Sequence, residues 1–266
     1  MKQRAPLAIL IVVLTLLCCL LGPMPRLLFL LLCGLASVWE TWTILSKGGQ
    51  RAYAVLLLLC VLACGALSFF RAAGFWYLVA FFAAAQLILA VAALTYREGG
   101  GRDALTALTV LVYPGSLFAV LLCLSQLDRW LWPFAVGQLT AWICDSAALI
   151  VGKRWGKHPL STPVSPHKTV EGCVAGAVAA LPTGFLCWAL FRGTCPLSLW
   201  AWMGISLICS SWGQIGDLAA SLVKRAAGAK DFSNLLGPHG GIMDKFDSMV
   251  FSIPLAYLCL RIAGVM

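Results

Sequence analysis

Charge is scarce in this chain. Only 11% of the 266 residues are Asp, Glu, Lys or Arg, less than half the ~25% of an ordinary soluble domain. That shortage excludes a soluble globular fold, which needs polar residues to cover its surface. It also excludes a disordered chain, which needs charge in place of apolar bulk. Histidine is rarer still. His158, His167 and His239 are the only three, and they do not form the His-Glu-x-x-His pattern of a zinc enzyme. The 12 cysteines lack zinc-site spacing and fall almost entirely in apolar stretches, as Cys18, Cys19, Cys60 and Cys209 do. They read as small packing residues in a reducing context, not as a disulfide framework. The chain has no internal repeat, no low-complexity segment and no Ser-His-Asp or Cys-His nucleophile pattern.

What the chain has in place of charge is apolar bulk, 61% of its residues, with a mean hydropathy of +0.93. Nine blocks stand near 6–23, 26–46, 52–70, 74–95, 104–126, 129–151, 172–191, 197–222 and 248–264. Most are about 20 residues long, enough to cross a hydrocarbon core ~30 Å thick. Their continuous apolarity, without two-residue alternation, selects helices over barrel strands. The first block follows Lys2 and Arg4 but lacks a small-x-small cleavage pattern and runs directly into the next, so it reads as a retained helix.

With the N-terminus inside, the inner segments hold 14 Lys and Arg and the outer ones 5. That asymmetry places the N-terminus in the cytoplasm and the C-terminus outside. The expected architecture is an all-α polytopic membrane protein of about nine transmembrane helices with no separate soluble domain. An N-terminal helical membrane region, 1–128, holds about five spans. A C-terminal catalytic membrane region, 129–266, holds about four, with two long cytoplasmic loops at 152–171 and 223–247. The net charge of +9 fits anionic lipids or substrates as well as simple topology.

Six of the ten acids lie in or beside those two loops: Asp145, Glu171, Asp217, Asp231, Asp244 and Asp247. Asp145 and Asp217 sit inside otherwise apolar blocks, where a carboxylate costs about 2.5–3.5 kcal/mol and therefore marks a candidate site. Asp217, Ser221 and Lys224 follow an i, i+4, i+7 spacing on one helix face, and Arg225 extends it toward water. That stripe suits a metal ion at depth with an anionic group above it. Lys230 and Asp231 follow, then Gly237, Pro238, His239, Gly240 and Gly241, a stretch that breaks helix and allows close backbone approach. A helix expected to start near Ile242 would turn its N–H groups into this loop, ready for phosphate. Asp244 and Asp247 are expected on the first turn of that helix. There they would either hold Mg²⁺ or cap the dipole.

In the other loop Gly152, Lys153, Gly156 and Lys157 interleave, and Ser165, Lys168 and Thr169 precede a helix. This describes an anion cradle, with Thr169 equally suited to be an N-cap. Carboxylates for a divalent metal and cations for phosphates favour phosphoryl or nucleotidyl transfer, in which the protein positions groups and neutralises charge.

The run from Ser221 through Lys224-Arg225, Lys230-Asp231 and His239-Gly240-Gly241 to Asp244, Lys245 and Asp247 resembles the signature of the phosphatidate cytidylyltransferases. Upstream, Asp145 through Gly172 resembles the same family's Asp-x-x-Ala, Gly-Lys-x-aromatic-Gly-Lys and Ser-Pro-x-Lys-Thr-x-Glu-Gly segments. The resemblance covers roughly residues 130–260. It departs at Lys245, where the family usually has Arg, at Leu149, where Tyr is frequent, and at His167, where Lys is usual.

The resemblance implies that CTP and phosphatidate give CDP-diacylglycerol and pyrophosphate, in phospholipid biosynthesis, at a site facing the cytoplasm from the inner or plasma membrane. It implies Mg²⁺, either two ions or one with a monovalent cation. Asp217 and Asp244 would be the principal metal ligands, with Asp145, Asp231 and Asp247 as further ligands or their support. Lys224, Arg225, Lys230 and Lys245 would neutralise the triphosphate, and Ser165, Lys168 and Thr169 would hold nucleotide or lipid phosphate. Ser221, Gly240, Gly241, Lys153 and Lys157 join the phosphate-binding set, and His239 the catalytic one. The partners expected are CTP, phosphatidate and membrane lipids, with no nucleic acid and a homodimer left open. The alternatives are a CTP-using kinase or cytidylyltransferase acting on an isoprenoid-type lipid, and a membrane transporter.

Overall fold

The structure, a computed structural model, describes residues 21–47, 49–94, 100–161, 164–237 and 240–266. The expected first span, 6–23, falls mostly outside them. Helices cover the other eight expected blocks. In order they are α1 (Pro23–Ser46), α2 (Arg51–Phe69), α3 (Gly74–Leu94), α4 (Gly100–Val110) and α5 (Leu117–Ser125), then α6 (Leu131–Trp155), α7 (Val170–Phe191), α8 (Leu199–Ala226), α9 (Met243–Phe246) and α10 (Met249–Ile262). A wide turn at Leu111–Ser116, carrying Pro114, joins α4 to α5.

Among the described residues six helical segments are long and apolar enough to cross a membrane: α1, α2, α3, the joined Gly101–Ser125, α6 and α7. The protein is therefore an all-α polytopic membrane protein at its core. Helix α8 has 28 residues but falls outside that set, since Ser210, Ser211, Gln214 and Asp217 interrupt its apolarity. Helix α10 has only 14 residues. Large apolar side chains such as Leu32, Phe75, Leu78, Phe82 and Trp200 stand exposed on the helix flanks, an arrangement that water opposes and hydrocarbon does not. No disulfide joins the described cysteines.

The chain divides into two compact units. The first comprises the residues up to Leu127 together with Ala226–Asp244, so the second long loop returns to the N-terminal helices. Its interior is tied by buried polar links. Arg26 donates from Nε and Nη2 to the Ser125 carbonyl at 2.9 and 2.6 Å, and the Ser68 and Tyr77 hydroxyls meet at 2.7 Å.

The second unit, Asp128–Arg225 with Lys245–Met266, packs α6, α7, α8 and α10 around Trp132, Val136, Cys187, Trp202, Cys209 and Leu260. Small residues let these backbones approach closely, as membrane helices require. A Cβ on Gly137 of α6 would stand 2.8 Å from the Cα of Ile253 in α10. One on Gly216 of α8 would stand 2.7 Å from the Asp247 carbonyl.

One element was not expected. The first long loop folds into an antiparallel hairpin, β1 (Pro159–Ser161) and β2 (Ser165–Thr169), pairing Pro159 with Thr169 and Ser161 with Ser165. The expected helix from Ile242 is also broken. α9 ends at Phe246 and α10 begins at Met249, so Asp244 and Asp247 do not share one helical turn. At the break the Asp247 carboxylate captures the Ser248 N–H, and such a local bond competes with the helix ladder.

Candidate active site

In the second unit three carboxylates and two ammonium groups come together. Asp217 lies in the last third of α8, and the Lys168 ammonium on β2 meets its Oδ2 at 2.6 Å, with 22% and 28% of the two side chains exposed. Asp145 on α6 is within electrostatic reach of both Asp217 and Lys168, and the Ser248 side chain lies beside it. Asp247, in the turn before α10, feels Asp217, Asp145 and Lys224. Desolvation, followed by the Asp217 and Asp145 charges, pushes the Asp247 carboxyl above the usual carboxylate range, because like charges at one site oppose ionisation. Its Oδ1 accepts the Ser248 N–H at 2.7 Å.

Helix α8 is continuous over Leu199–Ala226. Asp217, Ser221 and Lys224 therefore share a face as their spacing requires, with Lys224 and Arg225 in the last turn, where cations suit the helix dipole.

The hairpin explains how a residue 49 positions upstream reaches Asp217. Thr169 caps α7, its Oγ1 accepting the Gly172 N–H at 3.2 Å. His158 meets Glu171 at 2.6 Å and so closes the hairpin onto the helix start. Gly152 and Gly156 serve packing here. A Cβ at Gly152 would stand 3.0 Å from Thr169 Oγ1, and one at Gly156 2.6 Å from Thr169 Cγ2. Ser165 is half-buried on β2, while Lys153 and Lys157 stand exposed beyond it.

The remaining candidates lie elsewhere. Lys245 is half-buried in α9. In the first unit Lys230 and Asp231 are exposed, and Gly240 and Gly241 are buried. Asp244 turns Oδ2 to the Phe232 and Gly241 N–H groups at 2.8 and 2.9 Å. The expected phosphate-ready donors already have partners: Ile242 and Met243 donate to Glu40 at 3.0 Å each. His239 lies outside the described residues.

Glu40 is the residue that sequence reasoning passed over. It interrupts an apolar block just as Asp145 and Asp217 do, and the rule that intramembrane acids mark functional positions would have found it.

Among the described residues no three His, Cys, Asp or Glu side chains converge closely enough to hold a metal ion alone. The donor set still suits Mg²⁺. It is all carboxylate oxygen, and this ion commonly takes one or two carboxylates and completes its shell with water and substrate phosphates.

The second unit of this helical membrane protein thus carries a cluster of carboxylates and ammonium groups within an otherwise apolar fold. The model of the cytidylyltransferase family matches residues 2–263, and the chain belongs to that family. It is 40% identical over 124 residues to the phosphatidate cytidylyltransferase of Staphylococcus aureus (strain COL), 46% of either chain. The enzyme of that name from Staphylococcus saprophyticus is 41% identical over 124 residues, again 46% of either chain. The one from Bacillus subtilis (strain 168) is 36% identical over 152 residues, 57% of this chain and 56% of the relative. The chain spans about half the length of the curated relatives it matches.

Proposed function

We propose that the protein transfers the cytidylyl group of CTP to phosphatidate, releasing pyrophosphate and forming CDP-diacylglycerol in the membrane. The observation that carries this reading is the Lys168–Asp217 contact at 2.6 Å, with Asp145, Asp247 and Lys224 around it. The family membership and the names of the relatives support the same reaction.

The lipid phosphate is already anionic, so attack on the α-phosphorus needs no strong base. The obstacle is repulsion between two polyanions. Lys168 and Lys224, with Arg225, Lys230 and Lys245, lower it by neutralising the triphosphate and the leaving pyrophosphate. On the family resemblance Asp217 and Asp244 would be the principal Mg²⁺ ligands, with Asp145, Asp231 and Asp247 as further ligands or their support. When bound, the ion would offset the charge of the phosphates. Ser165, Thr169, Ser221 and the Gly240-Gly241 pair position the phosphates. We place the N-terminus and both long loops in the cytoplasm and count nine spans, on the distribution of Lys and Arg.

The test is purified protein in detergent, given radiolabelled CTP, Mg²⁺ and a panel of lipid phosphates. A CDP-lipid and pyrophosphate made with phosphatidate support the proposal. CDP with a phosphorylated lipid, or a CDP-lipid made only from an isoprenoid phosphate, would overturn it, as would substrate flux into vesicles without nucleotide.

A further inference from the structure

Glu40 lies in α1 and is 4% exposed. Three donors converge on its carboxylate, from Ser233 and from Ile242 and Met243 at the start of α9, about 200 residues on. Ser233 Oγ donates to Oε1 at 2.7 Å and Ile242 N–H to the same oxygen at 3.0 Å. Met243 N–H donates to Oε2 at 3.0 Å. The loop backbone also presses on the carboxylate, since a Cβ on Gly241 would stand 2.5 Å from Oε2. From the other side Asp244 Oδ2 accepts Phe232 N–H and Gly241 N–H at 2.8 and 2.9 Å. The loop closes on itself as well, with Leu236 N–H bonded to the Gly240 carbonyl at 2.9 Å. Glu40, Ser233, Gly241, Met243 and Asp244 all belong to the first unit.

We infer that Glu40 is a positioning residue that clamps Ser233 and the Ile242-Met243 backbone and thereby fixes how Asp244 and the Gly240-Gly241 backbone are presented. A helix in the N-terminal region, whose sequence otherwise reads as generic apolar bulk, thus sets the geometry of a loop in the C-terminal signature. A buried donor that loses its acceptor pays its full desolvation cost, and three donors on one buried group leave Ser233, Ile242 and Met243 little freedom. Alanine at 40 removes every acceptor. Glutamine keeps one oxygen but turns an NH₂ donor toward an N–H donor, so it relieves the loss only in part. The inference rests on the proposed function only in assigning Asp244 and this loop to the reaction.

The experiment uses the full chain in lipid nanodiscs, as wild type, Glu40→Ala and Glu40→Gln. Amide hydrogen exchange is followed across the chain, alongside CDP-lipid formation from CTP and phosphatidate. In Glu40→Ala the Ile242 and Met243 amides should exchange about tenfold faster or more, as loss of a buried partner predicts, while α1–α5 keep their protection. kcat should fall by up to about 100-fold, the effect of a ~1 Å misplacement. Glu40→Gln should lie between in both measurements. Unchanged loop exchange, uniform loss of protection through α1–α5, or a loosened loop with unchanged kcat would each overturn the inference. If the wild type makes no CDP-lipid, the proposed function fails, and the exchange rates alone then decide whether Glu40 clamps the loop.

Discussion

In the first unit, Glu40 and Asp244 direct their oxygens to main-chain N–H groups and one serine hydroxyl. In the second, Asp217 holds a side-chain ammonium, and Asp145 and Asp247 face Asp217, each other and lysines. The difference is one of exchangeability. A carboxylate committed to backbone donors fixes a conformation, and releasing it means deforming the chain. One that faces a lysine side chain can exchange that partner by rotating side chains alone. For a mostly buried pair of this kind the desolvation of both ions offsets much of their attraction, so its conspicuous geometry points to chemistry more than to folding.

The largest effect that could break this comparison is at Asp217. Asp217→Asn should lower CTP- and phosphatidate-dependent pyrophosphate release by more than the roughly 10–100-fold typical of losing a supporting group, with thermal unfolding little changed. Lys168→Met should cost less. The double variant should be no worse than Asp217→Asn, because residues acting as one unit are not additive. Full activity in Asp217→Asn membranes would remove Asp217 from the site. Fully additive losses would show that Lys168 acts apart from it.

A smaller effect tests how the second unit holds its acids in place. Asp217 is set by helix packing, with Gly216 against the Asp247 carbonyl and the Phe251 ring, where a Cβ would stand at 2.7 and 2.8 Å. Gly216→Ala should therefore cost about 1–3 kcal/mol by overpacking, measured by thermal unfolding in detergent, and should lower activity with it. Gly204→Ala on the same helix is the control, since a Cβ there meets nothing within 4 Å. Equal behaviour of the two would show that close packing does not position Asp217.

Much of this was legible from local pattern. Continuous apolar blocks marked the helices, and an acid inside such a block marked Asp145 and Asp217. The spacing of Asp217, Ser221 and Lys224 also held, because it depends only on an unbroken helix. What local pattern could not carry was partnership over distance. Glu40 meets Ile242 across 202 positions, and no window of sequence contains both. Gly152 and Gly156 looked like room for phosphate because they alternate with lysines, yet what they make room for is Thr169. Asp244 and Asp247 looked like one helical turn because the i, i+3 rule presumes a helix, and the helix stops at Phe246, where the Asp247 carboxylate takes the Ser248 N–H.

The smallest expected effect separates two roles for Thr169. Its Oγ1 caps α7 through the Gly172 N–H at 3.2 Å, and the proposed reaction also gives it a phosphate. Thr169→Ala should cost about 0.5–2 kcal/mol of stability through the lost cap, read from thermal unfolding. If Thr169 also holds substrate, KM for CTP or phosphatidate rises in Thr169→Ala, and Thr169→Ser restores both KM and stability by returning the hydroxyl. If capping is its whole role, stability falls while both KM values stay at the wild-type level. Thr169 would then resemble Glu40 and Asp244, a side chain committed to the backbone. The boundary between shape-holding and phosphate-holding groups would run between Thr169 and its neighbour Lys168.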